Sequence, residues 1–217
     1  MEICYNTFME KTQPAIQAVI FDMGGVILRS ESVVSRTKLA KKFGLTRKEL
    51  ENIVFQSDES KKAELGEFTA EQHWNNIARL LNFPQAELAE FQRAYWDGDQ
   101  VDEELVAFIR GLRGKYKTGM LSNAWHGARE RIMAEYHFLS AFDAVIFSAD
   151  VHLRKPDPRI YRMMTDALDV DPAHCVYLDD LGINLKPARE MGMRTIKVGE
   201  AAPAIDELES LLGFALR

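Results

Sequence analysis

Asp22, the pair Ser122-Asn123, Lys155 and the pair Asp179-Asp180 each stand at or just beyond the end of an apolar stretch. Ala18-Val19-Ile20-Phe21 leads into Asp22, and Cys175-Val176-Tyr177-Leu178 leads into Asp179. Short continuous apolar runs of this kind form strands buried on both faces of a parallel sheet. The carboxyl ends of such strands share one crevice, where ligands bind, so four sites far apart in sequence are expected to meet there. Three carboxylates, a hydroxyl and an ammonium brought together suit metal-assisted phosphoryl transfer.

Each site has a chemical reading and a structural one. Asp22 is followed by Met23-Gly24-Gly25-Val26. A carboxylate at a strand exit can attack phosphorus and form an aspartyl-phosphate, which splits one hard displacement into two easier ones. The glycines let the backbone come close, so a main-chain carbonyl near Gly24 can ligate a metal. Taken alone, the segment is equally a strand-ending turn. Ser122 can hydrogen-bond a transferring phosphoryl oxygen and Asn123 can orient nucleophile or substrate, or either can cap the helix that starts near Trp125. Lys155 precedes Pro156-Asp157-Pro158, a rigid turn that would fix an ammonium against the charge on a carboxylate and on phosphoryl oxygens. The alternative is a solvated lysine before a helix. Asp179 and Asp180 directly after four apolar residues are costly without a cation. Mg²⁺ takes a few carboxylates plus water, and Asp22 completes such a set; the alternative is a helix cap favoured by the dipole. Asn184, one turn later, can hold Lys155 or a carboxylate in place. Among the histidines, His126 and His152 fall close to these sites, while His73, His137 and His174 read as surface or partly packed residues.

The elements that must position these groups follow from periodicity. Strands are expected at 18–21, 118–121, 144–147, 175–178 and 195–198, with helices at 125–136, 157–168 and 181–191, the alternation of βαβ units around a parallel sheet. The helix 157–168 would present Ile160, Met163, Met164, Ala167 and Leu168 to the core. The stretch from 29 to 98 has no second strand and runs about 70 residues where a crossover needs about a dozen, so it reads as an all-helical insertion with segments at 31–43, 47–56, 70–81 and 85–96. Thr46 with Glu49 and Thr69 with Gln72 carry capping-box spacing. A helix at 101–112 returns the chain to the sheet. The division expected is a core of 15–28 and 99–217 with an inserted unit at 29–98.

The chain of 217 residues is long enough for one full core and a modest insertion. Its 47% hydrophobic and 28% charged residues are those of a globular protein. A net charge of −6 without a long Lys/Arg stripe argues against nucleic acid or an anionic membrane as partner and favours a small molecule. Two cysteines, Cys4 and Cys175, make no disulfide framework, and Cys175 in an apolar run behaves as a small hydrophobe. No apolar run approaches the roughly 18 residues of a membrane helix, residues 1–13 form a polar lead-in without a signal-peptide core, and a cytoplasmic location is expected. Oligomeric state is left open.

Taken in order, the four sites resemble those of the haloacid dehalogenase-like hydrolase superfamily, over about residues 17 to 198. The first motif there is a strand ending in Asp-x-Asp-x-Thr/Val, here Asp22-Met23-Gly24-Gly25-Val26. Ser122 matches the second motif, Lys155 the third, and Asp179-Asp180 with Asn184 the acidic fourth. The runs from Lys155 to Tyr161 and from Leu178 to Arg189 look most like the phosphatase-like N-terminal domain of soluble epoxide hydrolases and related acyl-CoA dehydrogenase fusions, and like a bacterial glucose-1-phosphatase group. The resemblance implies a Rossmann-like core with a helical cap. It also implies Asp22 as nucleophile, and Mg²⁺ held by Asp22, the Gly24 carbonyl and Asp180 with Asp179 in support. The substrate implied is a small phosphorylated metabolite, a sugar phosphate among the candidates. One departure matters: most phosphatases of the family have a second Asp as general acid/base where this chain has Gly24. General acid–base help is worth about 10²–10⁴-fold. The glucose-1-phosphatase group resembles this chain in having Gly there, and His152 is a candidate substitute acid. Two further readings are a 2-haloacid dehalogenase, which needs no metal, and a non-catalytic phosphate-ligand-binding or regulatory protein.

Overall fold

In a computed structural model that describes residues 15–30 and 34–213, the chain runs through β1 (Ala18–Phe21) and β2 (Leu28–Ser30) into α1 (Val34–Lys42), α2 (Arg47–Gln56), α3 (Asp58–Glu64), α4 (Ala70–Leu80) and α5 (Leu88–Trp96). It continues through β3 (Asp99–Val101), α6 (Glu103–Leu112), β4 (Lys117–Ser122), α7 (Ala128–Glu135), β5 (Ala144–Phe147), α8 (Ser148–Val151) and α9 (Pro158–Leu168). The last elements are β6 (Cys175–Asp179), α10 (Gly182–Glu190), β7 (Arg194–Lys197) and α11 (Ala201–Leu212). The polar lead-in 1–13, with Cys4, and the first three residues of the helix expected at 31–43 lie outside the described residues.

One sheet has the order β5-β4-β1-β6-β7, every neighbouring pair parallel. The chain lays β4 and β5 on one side of β1 and then crosses to lay β6 and β7 on the other, so the strand order reverses at β1 and β6. A crevice opens at such a reversal, beyond the carboxyl ends of the strands. The alternation of side chains explains why these strands are apolar throughout. Val19, Phe21, Val176 and Leu178 enter a cluster with α6 and α11, whereas Ala18, Ile20, Cys175 and Tyr177 enter another with α9 and α10. The result is an α/β Rossmann-like core. Its α9 buries Ile160, Tyr161, Met164, Thr165 and Leu168, whereas Met163 is 37% exposed and Ala167 is exposed. The stripe is therefore turned by one position from the expected one, because Tyr161 and Thr165 rather than Met163 and Ala167 complete the i, i+4 rows with Ile160 and Met164.

Between β2 and β3 the chain is helical, and those two strands pair antiparallel, Leu28 opposite Val101 and Ser30 opposite Asp99. This ribbon corrects the expectation of an insertion without strands; at three residues a side it is too short to show periodicity. Because β3 takes Asp99–Val101, α6 starts only at Glu103, with the Asp102 carboxylate accepting from the Leu105 N–H at 2.9 Å. Both capping boxes form, Thr46 with Glu49 and Thr69 with Gln72. α3 was not expected: its Asp-Glu-Ser-Lys-Lys-Ala-Glu sequence has no apolar period, and Ser57 caps it by accepting from the Ser60 N–H at 3.1 Å. The helices pack around Leu50, Val54, Trp74, Ile77, Phe91 and Tyr95. His73 belongs inside as well, with no exposed surface, which corrects its reading as a surface or partly packed residue: α4 turns its apolar face, Trp74 and Ile77 included, toward the same interior. Among the described residues no helix is long and apolar enough to cross a membrane.

Candidate active site

Asp22 leaves β1 with its N–H bonded to the Leu178 carbonyl at 2.8 Å, so it stands beside Asp179 at the reversal of the sheet. Its carboxylate is 2.8 Å from Lys155 Nζ, and the same ammonium is 2.8 Å from Asp179 Oδ2. Lys155 is 1% and Asp22 6% exposed. A buried lysine is tolerated only when paired, and here two carboxylates and the Tyr177 hydroxyl, at 3.0 Å, accept its protons. Burial pulls the Lys155 pKa down, but Asp22 and Asp179 outweigh it and hold the ammonium above the ordinary lysine value. The main chain of Lys155 is held by one side chain: its N–H donates to Asn123 Oδ1 at 2.8 Å and its carbonyl accepts from Asn123 Nδ2 at 3.0 Å. The peptide bond from Lys155 to Pro156 is cis.

Asp179 is fully buried, and four donors satisfy it. Leu181 N–H reaches Oδ1 at 2.8 Å, Asn184 Nδ2 lies 3.1 Å from both oxygens, and Lys155 and the Tyr177 hydroxyl donate to Oδ2. Burial alone would raise its pKa; Lys155, Tyr177 and the Leu181 N–H reverse that and hold it low. Asp22 and Asp180 go the other way. Burial pushes both carboxyls up, and the neighbouring Asp179 charge adds to it.

One oxygen each of Asp22, Asp179 and Asp180 can be chosen within 4.8 Å of one another. Lys155, the one buried ammonium beside these three carboxylates, pairs with Asp22 and Asp179, so the cluster holds more carboxylates than its ammonium can pair. That is the donor set of a hard divalent cation. Gly25 shapes the approach: its φ of +74° and the 2.6 Å between a built Cβ and Asp180 Oδ2 allow only glycine there. At Gly24 the space is open, with nothing within 4 Å of a built Cβ.

Above the cluster lies a cavity of about 720 Å³. Asp22, Gly24, Ser122, Asn123, Lys155 and Asp180 all line it, while Asp179 stands behind them. Ser122 is 2% exposed, and its hydroxyl makes only a long 3.5 Å contact with the Asn123 carbonyl, which leaves it able to serve an oxygen in the cavity. The far wall comes from the helices between β2 and β3. There Glu64, buried at the end of α3, accepts from Arg154 Nε at 2.7 Å, one residue before Lys155. Next to it His152 Nδ1 meets the Leu65 carbonyl at 2.9 Å. His152 is thus an exposed residue tied to that carbonyl and is not part of the cavity wall, which withdraws it as a substitute acid. His126 does line the cavity, with Nδ1 4.0 Å from Asp150.

Tyr177 is the site residue that motif reading passed over. A lone tyrosine in an aliphatic strand, two residues before Asp179 and so on its face, is the signal that marks it. Arg154 and Glu64 carried no such signal, since a pair 90 residues apart is made only by the fold.

The sequence model of the haloacid dehalogenase-like hydrolases matches residues 16–192. Bifunctional epoxide hydrolase 2 of Sus scrofa is 30% identical over 226 residues, covering 93% of this chain and 40% of the relative, so the chain spans about two fifths of that protein's length. A D-ribitol-5-phosphate phosphatase of Bacteroides thetaiotaomicron is 27% identical over 210 residues, covering 91% of this chain and 98% of the relative. Among solved structures, a haloacid dehalogenase family enzyme of the same bacterium, in complex with magnesium and inorganic phosphate, superposes with a TM-score of 0.71 at 21% identity, covering 87% of this chain and 96% of that one.

Proposed function

The chain belongs to the haloacid dehalogenase-like hydrolases, and from that premise we propose that it is a Mg²⁺-dependent phosphomonoesterase working through an aspartyl-phosphate on a small phosphorylated molecule. The observation that carries this reading is the cluster of three carboxylates around one buried ammonium at the floor of a cavity. We take residues 29–98 as a cap over a core of 15–28 and 99–217.

Asp22, Asp180 and the Gly24 carbonyl would hold the Mg²⁺, with Asp179 in support. When bound it polarises the phosphoryl group and neutralises its charge. The protein's own groups do the rest. Lys155 pairs with Asp22 at 2.8 Å and opposes the burial that raises its pKa, so that a carboxylate oxygen at the cavity wall can attack phosphorus while the ester P–O bond breaks. Ser122 donates to a phosphoryl oxygen, and Asn123 fixes Lys155 through its main chain. Water then attacks the aspartyl-phosphate at phosphorus, releasing phosphate and restoring Asp22. With Gly24 where the family's usual acid stands, the departing oxygen takes its proton from solvent, which favours esters with good leaving groups.

The relatives support the reading as far as their names go, one being a phosphatase and one solved with magnesium and phosphate. The test is phosphate release from a panel of esters with Mg²⁺, with EDTA, and by Asp22→Asn. Release that EDTA and Asp22→Asn both abolish is expected. Full turnover in Asp22→Asn would remove the nucleophile, and halide release from a 2-haloacid that persists in EDTA would establish the dehalogenase reading instead.

A further inference from the structure

We propose that the ester turned over here carries a bulky, ring-containing apolar alcohol, seated against Phe55 and Trp96 of the cap and Trp125 of the core, and is not a sugar phosphate. The inference rests on the phosphatase reading and narrows it to a substrate class. The aromatic residues gathered here divide into two sets. Trp74 and Tyr95 are buried at 6% and 0% exposure and serve as core, Trp74 with an edge on the cavity, whereas Phe55, Trp96 and Trp125 are only half-buried and line the cavity. Their rings form one surface: Phe55 stacks on Trp125 at 5.9 Å and an interplanar angle of 24°, and meets Trp96 edge-on at 6.1 Å. Arg131 lies 4.4 Å over Trp96 and steadies it.

A second, separate observation lies at the metal end. Leu181 and Ile183, flanking the start of α10 beside Asp180, are large apolar side chains left 45% and 67% exposed, and both line the same cavity. Apolar surface at the mouth of a cleft marks the place where apolar ligand is received. Two pairs of charged groups on the cap wall are meanwhile engaged with each other. Arg36 holds Asp99 at 2.7 Å and Arg47 holds Glu51 at 2.8 Å. Lys48, Asn52 and Gln56, spaced four apart on α2, add polar groups along one helix face. A sugar ring has hydroxyls around its whole edge, and those facing the aromatic surface would lose water without gaining partners. The volume of about 720 Å³ also lies well within the range of sites that enclose ligands larger than a single sugar.

The experiment compares substrates matched in their leaving groups, with Mg²⁺: 2-(2-naphthyl)ethyl phosphate against glucose 6-phosphate, both esters of primary alcohols, with phenyl phosphate as an activated reference. Expected is a kcat/KM at least tenfold higher for the naphthylethyl ester than for glucose 6-phosphate. Trp96→Ala should shrink that ratio at least tenfold. Equal or greater kcat/KM on glucose 6-phosphate overturns the inference, with phenyl phosphate turnover showing that the phosphatase reading stands. No turnover of any of the three, phenyl phosphate included, sinks the phosphatase reading itself. The wild-type comparison decides the matter whether or not Trp96→Ala folds.

Discussion

Beside Asp22 the backbone at Gly24 faces open space, with nothing within 4 Å of a built Cβ, so a side chain can begin there without a clash at its Cβ. Gly24→Asp should raise kcat on alkyl esters by up to about 10²-fold, and much less on phenyl phosphate, whose departing oxygen needs little protonation. The slope of log kcat against leaving-group acidity is the measurement, and an unchanged slope would mean that proton donation does not limit the enzyme. One residue on, the opposite holds: Gly25→Ala must move Asp180, 2.6 Å from its Cβ, and the expected result is at least tenfold weaker Mg²⁺ activation. At Tyr177 the hydroxyl both donates to Asp179 and accepts from Lys155. Tyr177→Phe therefore strips one bond from each of two buried charges, at a cost of about 2 kcal/mol. Urea denaturation reads that loss, and turnover should fall with it as Lys155 loosens.

At the scale of elements, the loop into α9 is gripped from both sides of the cleft. Asn123, just after β4, holds the Lys155 main chain, and Glu64, ending α3, holds Arg154. Burial raises the Glu64 pKa against the pull of Arg154, so removing the arginine leaves a buried acid without its partner. Arg154→Ala should cost about 2 kcal/mol of stability and raise KM more than it lowers kcat. The double variant with Glu64→Gln should be no worse than Arg154→Ala alone, and additive losses would show that the two residues act separately. The contrast in what was legible beforehand has the same origin. β1 and β5 were readable to the residue, because a strand buried on both faces is an unbroken apolar run, and α2 was readable because Thr46 and Glu49 announce its start. β2, β3 and α3 were not, since three-residue strands and a helix of charged and small residues are held by contacts made only after folding. The same divide runs through the site: Asp22 follows a strand end and Asp179 closes one, whereas Glu64 reaches Arg154 only across the cleft.

For the whole molecule, the place where the helices between β2 and β3 meet Trp125 has a charge it cannot accept. His73 is completely buried against Trp125, ring centroids 4.3 Å apart, and neither ring nitrogen has a well-formed hydrogen-bond partner. Burial lowers its pKa from 6.5 to about 4, with the Val54 backbone a weak counterweight. Because the folded state resists the proton, stability should be full above about pH 6.5, fall by about 3 kcal/mol as pH drops to 4, and gain no further slope from this residue below that. His73→Leu should flatten the fall in urea midpoint between those limits; an undiminished fall would place the sensitivity elsewhere. Trp125, the residue His73 touches, comes only three positions after Ser122, yet its ring lies with Trp74 of α4 and Trp96 of α5 at 5.9 and 6.3 Å. These are the chain's three tryptophans. Every indole in the molecule is therefore gathered at one seam, two on the helices between β2 and β3 and one on the loop after β4, so intrinsic fluorescence works as a built-in optical gauge of whether that seam is closed.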